Sequence, residues 1–390
     1  MPGHVLSVLS TICAVAACAG IGYYCLVLWS AVNFIRAQRN RVAHPPGILP
    51  AISILKPLRG TDPEMYESFR SHCLQDYPQY EVIFGVSDPA DPAIGLVERL
   101  QREFPEREIR LNVCSKVLGT NVKVSNLAQM VRTAKYDHLL VNDSDIRVGP
   151  GYLRSVMAPF AESSVGLVTC LYRGVAEPTF GSNLEALGIS TDFAAGVLAA
   201  NQLEKGLHFA LGSTLLFRKE DLERIGGYES LLDYLADDYE LGRRISVQGK
   251  QVKLADTVVE TFLPAYSLRG FIDHQLRWAR TIREARPLGY LGLSITFAVP
   301  WALLALILSR GSWWAWVLLA DVLAFRFSVA GLVGFSVLKD RELKKLWWVI
   351  PLRDCVGLVL WAVSWTGRRV RWRGDEFLLK DGRLIKVSRE

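Results

Sequence analysis

From Val5 to Ile35 the chain carries no charged side chain. A run of that length leaves few choices. In hydrocarbon every backbone N–H and C=O must be satisfied internally, so the segment reads as a helix long enough to span a bilayer with some tilt. A cleavable signal peptide is the competing reading. The missing basic n-region and the length of the run argue against it. Arg36, Arg39, Asn40 and Arg41 follow at once. By the positive-inside rule they place this end in the cytoplasm. Pro45, Pro46, Gly47 and Pro50 then read as a stiff linker.

The other end is also apolar. Leu288–Ser309 reads as a clear span, and Trp313–Leu338 as another despite Asp321 and Arg326. Leu346–Trp365 is apolar but contains Pro351, Arg353 and Asp354. Four full spans would leave the basic tail Arg368–Glu390 outside. A re-entrant or interfacial Leu346–Trp365 keeps it in the cytoplasm. These ends account for a mean hydropathy of +0.19 and 50% hydrophobic residues. The net charge of +6 then reads as membrane-surface contact and topology signal. No helix-turn-helix, zinc-finger or RNA-binding aromatic pattern accompanies it, so nucleic acid is not an expected partner. The seven cysteines form no C-x-x-C pair, which disfavours a zinc site or disulfide scaffold.

The expected organisation is therefore an anchor over 1–36, a linker over 37–50, a cytoplasmic domain over 51–287, membrane segments over 288–366 and a basic tail over 367–390. Within 51–287, apolar runs Ala51–Leu55, Tyr80–Val86, Ile109–Val113 and His138–Val141 alternate with helical patterns over Asp62–Gln75, Ile94–Phe104 and Val124–Thr133. That alternation predicts an α/β domain with a mostly parallel sheet covered by helices. Ligands of such sheets bind beyond the carboxyl ends of the strands. Lys56, Asp88 and the pair Asp143/Asp145 all fall at such ends. Two aspartates two residues apart can turn toward one hard cation, Mg²⁺ or Mn²⁺; an Asx-rich turn is the plainer alternative. Neither G-x-G-x-x-G nor a Walker A loop is present.

The later part is less regular. Val165–Tyr172 and Ala210–Arg218 read as strands, Asn183–Leu203 as an apolar helix, and Val252–Leu254 and Val258–Thr261 as two short strands. Leu235–Ile245 opens with Asp237 and Asp238 at a helix start, where acids also simply complement the dipole. Phe271–Arg286 is basic and amphipathic. It suits an interfacial helix on anionic lipid, an arginine clamp for a diphosphate, or both. Lys56 and Lys123 are candidate nucleotide contacts or plain surface lysines. His208 is a candidate acceptor-side group or an ordinary satisfied histidine.

The segments Ser53–Pro63 (SILKPLRGTDP), Gln75–Ile94 (QDYPQYEVIFGVSDPADPAI), Asn142–Val148 (NDSDIRV), Leu235–Gly242 (LADDYELG), Gln275–Thr281 (QLRWART) and Trp372–Gly374 (WRG) carry a family likeness. The chain resembles the membrane-bound family 2 and family 21 glycosyltransferases, most closely ceramide glucosyltransferases and bacterial hopanoid-associated glycosyltransferases. That resemblance implies a GT-A fold, a nucleotide-diphosphate sugar as donor and a divalent metal. By the same resemblance, Asp88 is the donor-nucleotide carboxylate, and Asp143 and Asp145 are the sugar-nucleotide and metal carboxylates. Asp238 is the catalytic base, and Arg277-Trp278 belong to the Q/R-x-x-R-W motif. His274 replaces the first residue of that motif.

The implied reaction is a single displacement that inverts the anomeric centre. One sugar passes from a UDP-sugar, glucose favoured, to a membrane lipid hydroxyl of ceramide type. A hopanoid acceptor with UDP-N-acetylglucosamine, a processive polysaccharide synthase and a catalytically idle scaffold are the alternatives. The expected setting is a bacterial inner membrane, with oligomeric state left open.

Overall fold

A computed structural model of the chain describes residues 2–40, 49–372 and 375–387. Arg41, Pro45, Pro46 and Gly47 of the expected linker, and the last two residues of the Trp372–Gly374 match, lie outside the described residues. In chain order the elements begin with α1 (Pro2–Asn40), β1 (Ile52–Leu58), α2 (Met65–Cys73), β2 (Tyr80–Val86), α3 (Ala93–Glu103), β3 (Glu108–Val113), α4 (Val122–Val131), β4 (His138–Val141), β5 (Ile146–Arg147) and α5 (Tyr152–Met157). There follow β6 (Val165–Ala176), α6 (Phe180–Gly188), α7 (Ala194–Leu203), β7 (Leu215–Arg218), α8 (Lys219–Arg224), α9 (Asp237–Val247) and β8 (Gln251–Leu263). The remainder is α10 (Leu268–Ala285), α11 (Pro287–Gly292), α12 (Ala298–Leu308), α13 (Trp313–Ala330), α14 (Leu343–Leu346), α15 (Ile350–Ser364), β9 (Arg369–Trp372), β10 (Asp375–Lys380) and β11 (Arg383–Lys386).

The chain forms two compact units that interleave along the sequence. One collects Val42–Glu177, Leu203–Ala265 and Asp375–Glu390; the other collects Met1–Arg41, Pro178–Gln202 and Tyr266–Gly374. The segment 51–287 thus contributes residues to both.

The first unit holds an eight-stranded sheet in the order β3-β2-β1-β4-β7-β6-β8-β5. β1, β2, β3 and β4 are mutually parallel, and β7 runs antiparallel to β4 and β6. β1 and β2 are buried at every position, as continuous apolar strands covered on both faces should be. Two expected strands merge: Val252–Leu254 and Val258–Thr261 are one strand, β8. A register shift against β6 between Thr169 and Leu171 absorbs the intervening residues. Ala210–Arg218 is strand only from Leu215. Leu211–Thr214 is a turn closed by the Thr214 N–H on the Leu211 carbonyl at 3.1 Å. The expected basic tail is a hairpin of β10 and β11, antiparallel, with Gly382 at φ +75° in its turn.

In the second unit, α1, Trp313–Val337 and Leu343–Ser364 are helices long and apolar enough to cross a membrane. Leu346–Trp365, expected to be re-entrant or interfacial, overlaps one of these, Leu343–Ser364. Pro351 sits in the first turn of α15, where it starts a helix rather than breaking one. A bend falls in Leu288–Ser309, where Pro287–Thr296 and Ala298–Leu308 are bent by 57°. Pro300 lies in the first turn of α12, and in an unbroken helix its ring would meet the Thr296 carbonyl, which favours a break there. Leu184, Leu187, Phe271, Ala330, Leu343, Val349 and Ile350 form a shared apolar core. Between α6 and α7, Ile189–Phe193 winds as a π-helix. Arg326, 1% exposed, closes on it. Its guanidinium is bidentate to Asp354 at 2.8 and 2.7 Å and also reaches Asp192 at 2.6 Å and the Thr191 carbonyl at 3.3 Å.

Candidate active site

The site begins where β4 stops. Asn142 is buried, and its amide donates to the Ser213 carbonyl at 2.6 Å and to the Tyr152 hydroxyl at 2.9 Å. Its Oδ1 lies 3.2 Å from His72 Nε2. These bonds fix the strand end so that the acids after it leave in defined directions. Asp145 Oδ2 accepts from the Thr261 hydroxyl on β8 at 2.5 Å. Ser144 Oγ donates to Asp62 at 2.5 Å. Lys56, fully buried, donates to the Asp143 carbonyl at 3.0 Å. Burial, reinforced by Asp143, pushes the Asp145 carboxyl up to about 6. Burial pulls the Lys56 ammonium down to about 7 against the pull of Asp145 and Asp143.

The helix start at α9 supplies the second half. Lys123 Nζ sits 2.8 Å from Asp143 Oδ1 and 3.2 Å from Asp237 Oδ2. Neither Lys56 nor Lys123 is therefore a solvated surface lysine. Asp238 Oδ2 accepts the Gly212 N–H at 2.7 Å, and Oδ1 accepts the N–H of Tyr239 at 2.8 Å. A Cβ on Gly212 would stand 3.1 Å from Asp143 Oδ2 and 3.1 Å from Asp238 Oδ2. One glycine thus separates the two carboxylates. Burial, with Asp237 next in weight, raises the Asp238 carboxyl to about 6. The loop before α9 is held from two sides. The Asn121 amide donates to the Tyr234 carbonyl at 2.7 Å, and the Thr120 N–H to Asp233 Oδ1 at 2.9 Å. On the other side, the Leu384 N–H of the C-terminal hairpin donates to the Asp233 carbonyl at 2.7 Å.

Lys56, Lys123, Asp143, Asp145 and Asp238 are thus brought together. Asp88 belongs to the same unit at the end of β2, but it is exposed, and its Oδ1 caps its own turn at the Ala90 N–H, 2.8 Å away. His208 lies 2.6 Å from the Ser246 hydroxyl and is exposed. His274, Arg277 and Trp278 lie on α10 in the second unit. There, His274 Nδ1 is 3.3 Å from Glu185 Oε1, and Gln275 Nε2 donates to Glu185 Oε2 at 2.7 Å. Gln275 Oε1 accepts from Arg353 at 2.7 Å. Burial alone would push the Glu185 carboxyl up, yet His274, Arg353 and Gln275 hold it below its ordinary value. The Trp278 ring packs on His274 and Phe193 at 5.4 and 5.7 Å.

Gly212, Thr261, Glu185 and the His72–Asn142 pair went unread in the sequence. Gly212 had a signal: G-S inside an apolar run is turn chemistry. The others act through pairs far apart in the chain and leave no local trace.

A divalent cation suits this donor set. Asp143, Asp145, Asp237 and Asp238 outnumber the two lysines facing them, and burial, with neighbouring carboxylates adding to it, raises the carboxyls of Asp145, Asp237 and Asp238. Among the described residues no three His, Cys, Asp or Glu side chains are grouped to hold a metal ion by themselves. Two carboxylates completed by substrate phosphate oxygens are the usual holding pattern for Mg²⁺. Asp143 and Asp145 would supply that pair.

The comparisons with known proteins now bear on the site. A family model described as Glycosyl transferase family 21 matches residues 12–385. The chain belongs to that family. Among individual relatives, family 21 similarity includes ceramide glucosyltransferase 3 of Caenorhabditis elegans, 26% identical over 260 residues, covering 66% of this chain and 56% of the relative. It also includes a ceramide glucosyltransferase of Komagataella phaffii, 37% identical over 127 residues, covering 31% of this chain and 25% of the relative. The matches take in little more than half the length of the first two relatives. A solved mannosyltransferase of Pyrobaculum calidifontis, in complex with GDP-Man and Mn²⁺, aligns over 91% of this chain and 98% of its own, with 22% identity and a TM-score of 0.57. This family 21 chain therefore has a mixed α/β fold with a sheet like that of GT-A glycosyltransferases, accompanied by apolar helices at both ends of the sequence.

Proposed function

We propose that the protein is an inverting glycosyltransferase that moves one sugar from a UDP-sugar, glucose favoured, to the hydroxyl of a membrane lipid of ceramide type. The observation that carries this reading is the Asp238 carboxylate, raised to about 6 and set one glycine away from Asp143. A base with that affinity is mostly ionised at neutral pH and still basic enough to take a hydroxyl proton. In this reading the lipid oxygen attacks the anomeric carbon while Asp238 accepts its proton. The N–H groups of Gly212 and Tyr239 keep the carboxylate in place. Lys123 and Lys56 neutralise the acids around the leaving diphosphate, and Asp88 is read as the nucleotide-side carboxylate. Asp143 and Asp145 would hold a divalent cation, which when bound would supply Lewis-acid stabilisation of charge on the leaving phosphate. His274, Arg277 and Trp278 are assigned to donor binding on the family resemblance. One base and one attack need no covalent intermediate, so the product anomer is inverted.

The apolar helices support a lipid acceptor. A lipid cannot cheaply leave the bilayer, and the sugar nucleotide is water-soluble, so an enzyme for both needs membrane and aqueous parts. We read the setting as a bacterial inner membrane with the sheet unit cytoplasmic, and Arg36 and Arg39 at the C-terminal end of α1 support the cytoplasmic side. The deciding experiment incubates membranes holding the full chain with labelled UDP-glucose or UDP-N-acetylglucosamine, with ceramide and hopanoid acceptors offered separately. Mass analysis of the lipid and NMR of the anomer fix donor, acceptor, sugar count and stereochemistry. One inverted glucose on ceramide is expected. A retained anomer, a polymer, or no transfer to any lipid overturns the reading.

A further inference from the structure

Residues 367–390 were expected to be a basic tail, and the reaction just described makes no use of the part from Asp375 on. In the structure, Asp375–Lys380 and Arg383–Lys386 form a hairpin, and its turn is spent on one short segment, 233–235. The Leu384 N–H donates to the Asp233 carbonyl at 2.7 Å, and the Leu235 N–H donates to the Gly382 carbonyl at 3.3 Å. Tyr234 and Arg383 form an antiparallel bridge between those two bonds. The Tyr234 ring lies 5.2 Å from the Arg383 guanidinium and 5.2 Å from that of Arg244 on α9, contacts of cation–π type.

What the hairpin grips matters because of what comes next. Two residues after Leu235, α9 begins with Asp237 and Asp238. Its N-cap, Ala236, offers no side-chain hydrogen bond, so the helix start lacks the usual local brace. The brace comes from either side instead. The 120–121 turn holds segment 232–234 by Asn121 N–H to Leu232 carbonyl at 2.8 Å, Asn121 amide to Tyr234 and Thr120 to Asp233. The hairpin holds Asp233 and Leu235. With both in place the peptide leading into Asp238 has no free play.

We propose that the C-terminal hairpin is a positioning element for the base Asp238: Leu384, Gly382 and Arg383 fix segment 233–235 and thereby the carboxylate that follows it. This rests on the reading of Asp238 as the base. Donor binding through Asp143, Asp145 and Lys56 depends on β1, β4 and β8, none of which the hairpin touches through these bonds. Loss of the hairpin therefore separates catalysis from donor affinity.

The test uses the full chain in detergent or nanodiscs. It compares wild type with a chain ending at Gly374, with Leu384→Pro, which removes the N–H given to Asp233, and with Lys386→Ala as a control on the same hairpin. Measured quantities are kcat for ceramide glucosylation, KM for UDP-glucose, and UDP affinity by calorimetry without acceptor. The truncated chain and Leu384→Pro should lose about tenfold to a hundredfold in kcat, the scale of a small misplacement of a reacting group. UDP affinity and KM should stay within about twofold of wild type. Lys386→Ala should match wild type. Adding a synthetic 375–387 peptide to the truncated chain should recover part of kcat. An unchanged kcat overturns the proposal. So does an equal loss of UDP binding, or failure of both altered chains to fold, because the hairpin is then generally structural. Wild type that binds UDP but glucosylates no lipid overturns the function itself, a different result from either.

Discussion

At Asp238 the burial that raises the carboxyl sets two pH dependences of opposite sign. The base works only when ionised, so kcat of the wild type should climb between pH 5 and pH 7 as the group titrates near 6. Stability runs the other way. The folded state holds protons on Asp238 and Asp145 more tightly than the unfolded chain. Their protonated forms favour folding fully below the ordinary aspartate value of 3.8, and that contribution is lost as pH rises through about 6. Thermal melts in EDTA should therefore fall from pH 5 to pH 7, and Mn²⁺ should restore the loss at pH 7; melts that rise over this range contradict it. Asp238→Asn should lower kcat by about 10² to 10⁴ with UDP affinity kept. Gly212→Ala places a methyl against both Asp143 and Asp238 and should lower kcat at least about tenfold while costing less than about 1 kcal/mol in stability. Asp143 and Asp145 could be read as a candidate pair because they follow directly on an apolar strand; acids at a helix start are ordinary, so the role expected of Asp238 came from the family resemblance. Gly212 could not be weighed, since its importance lies in two carboxylates contributed by distant segments.

Among elements, β2 and β4 were legible because a buried parallel strand is a mostly apolar run with a polar end; β3, at the sheet edge, shows alternation instead. The short β7 and the long β8 were not. Their boundaries are set by a turn at Leu211–Thr214 and a register shift against β6, both products of pairing rather than of local pattern. The same distinction applies to α4 and α9. Each was visible as a helix, but the tie between them, Lys123 on Asp143 and Asp237, was not. Replacing Lys123 with methionine keeps the stem's packing and leaves buried carboxylates facing one another. With Asp143 partly open to solvent, a loss of about 1–3 kcal/mol is expected in EDTA. Mn²⁺ should recover more stability in this variant than in wild type. Chemical denaturation with and without the ion measures the difference.

For the molecule as a whole, the spans at the two ends were plain from hydropathy. Leu346–Trp365 was expected to be re-entrant or interfacial and Leu288–Ser309 to be a clear span; the structure shows Leu343–Ser364 long and apolar enough to cross a membrane and a 57° bend between Pro287–Thr296 and Ala298–Leu308. Pro300 and Pro351 both lie in the first turn of their helices, α12 and α15, and only α12 follows a sharp bend. Interleaving of the two units left only weak sequence signals, Pro178 and Pro264 near its crossing points. Within the helical unit Arg326 joins α13 to α15 and to the π-turn at Thr191–Asp192. Arg326→Met should strip two carboxylates of their partner and cost about 3–5 kcal/mol, read as loss of monodisperse protein after detergent extraction. Retained yield and melting behaviour would falsify that role.

The interleaving also bears on how the protein is made. Helix α6 and helix α10 emerge from the ribosome long before Ile350 and Arg353, the residues that complete their core and their polar ties. Through that interval Phe271 and Leu187 await partners still inside the ribosome. A fragment covering only 51–287 would be held permanently in that unfinished state. Such a fragment should be recovered as aggregate, however well its sheet is formed, whereas the full chain need only finish translation to cover itself.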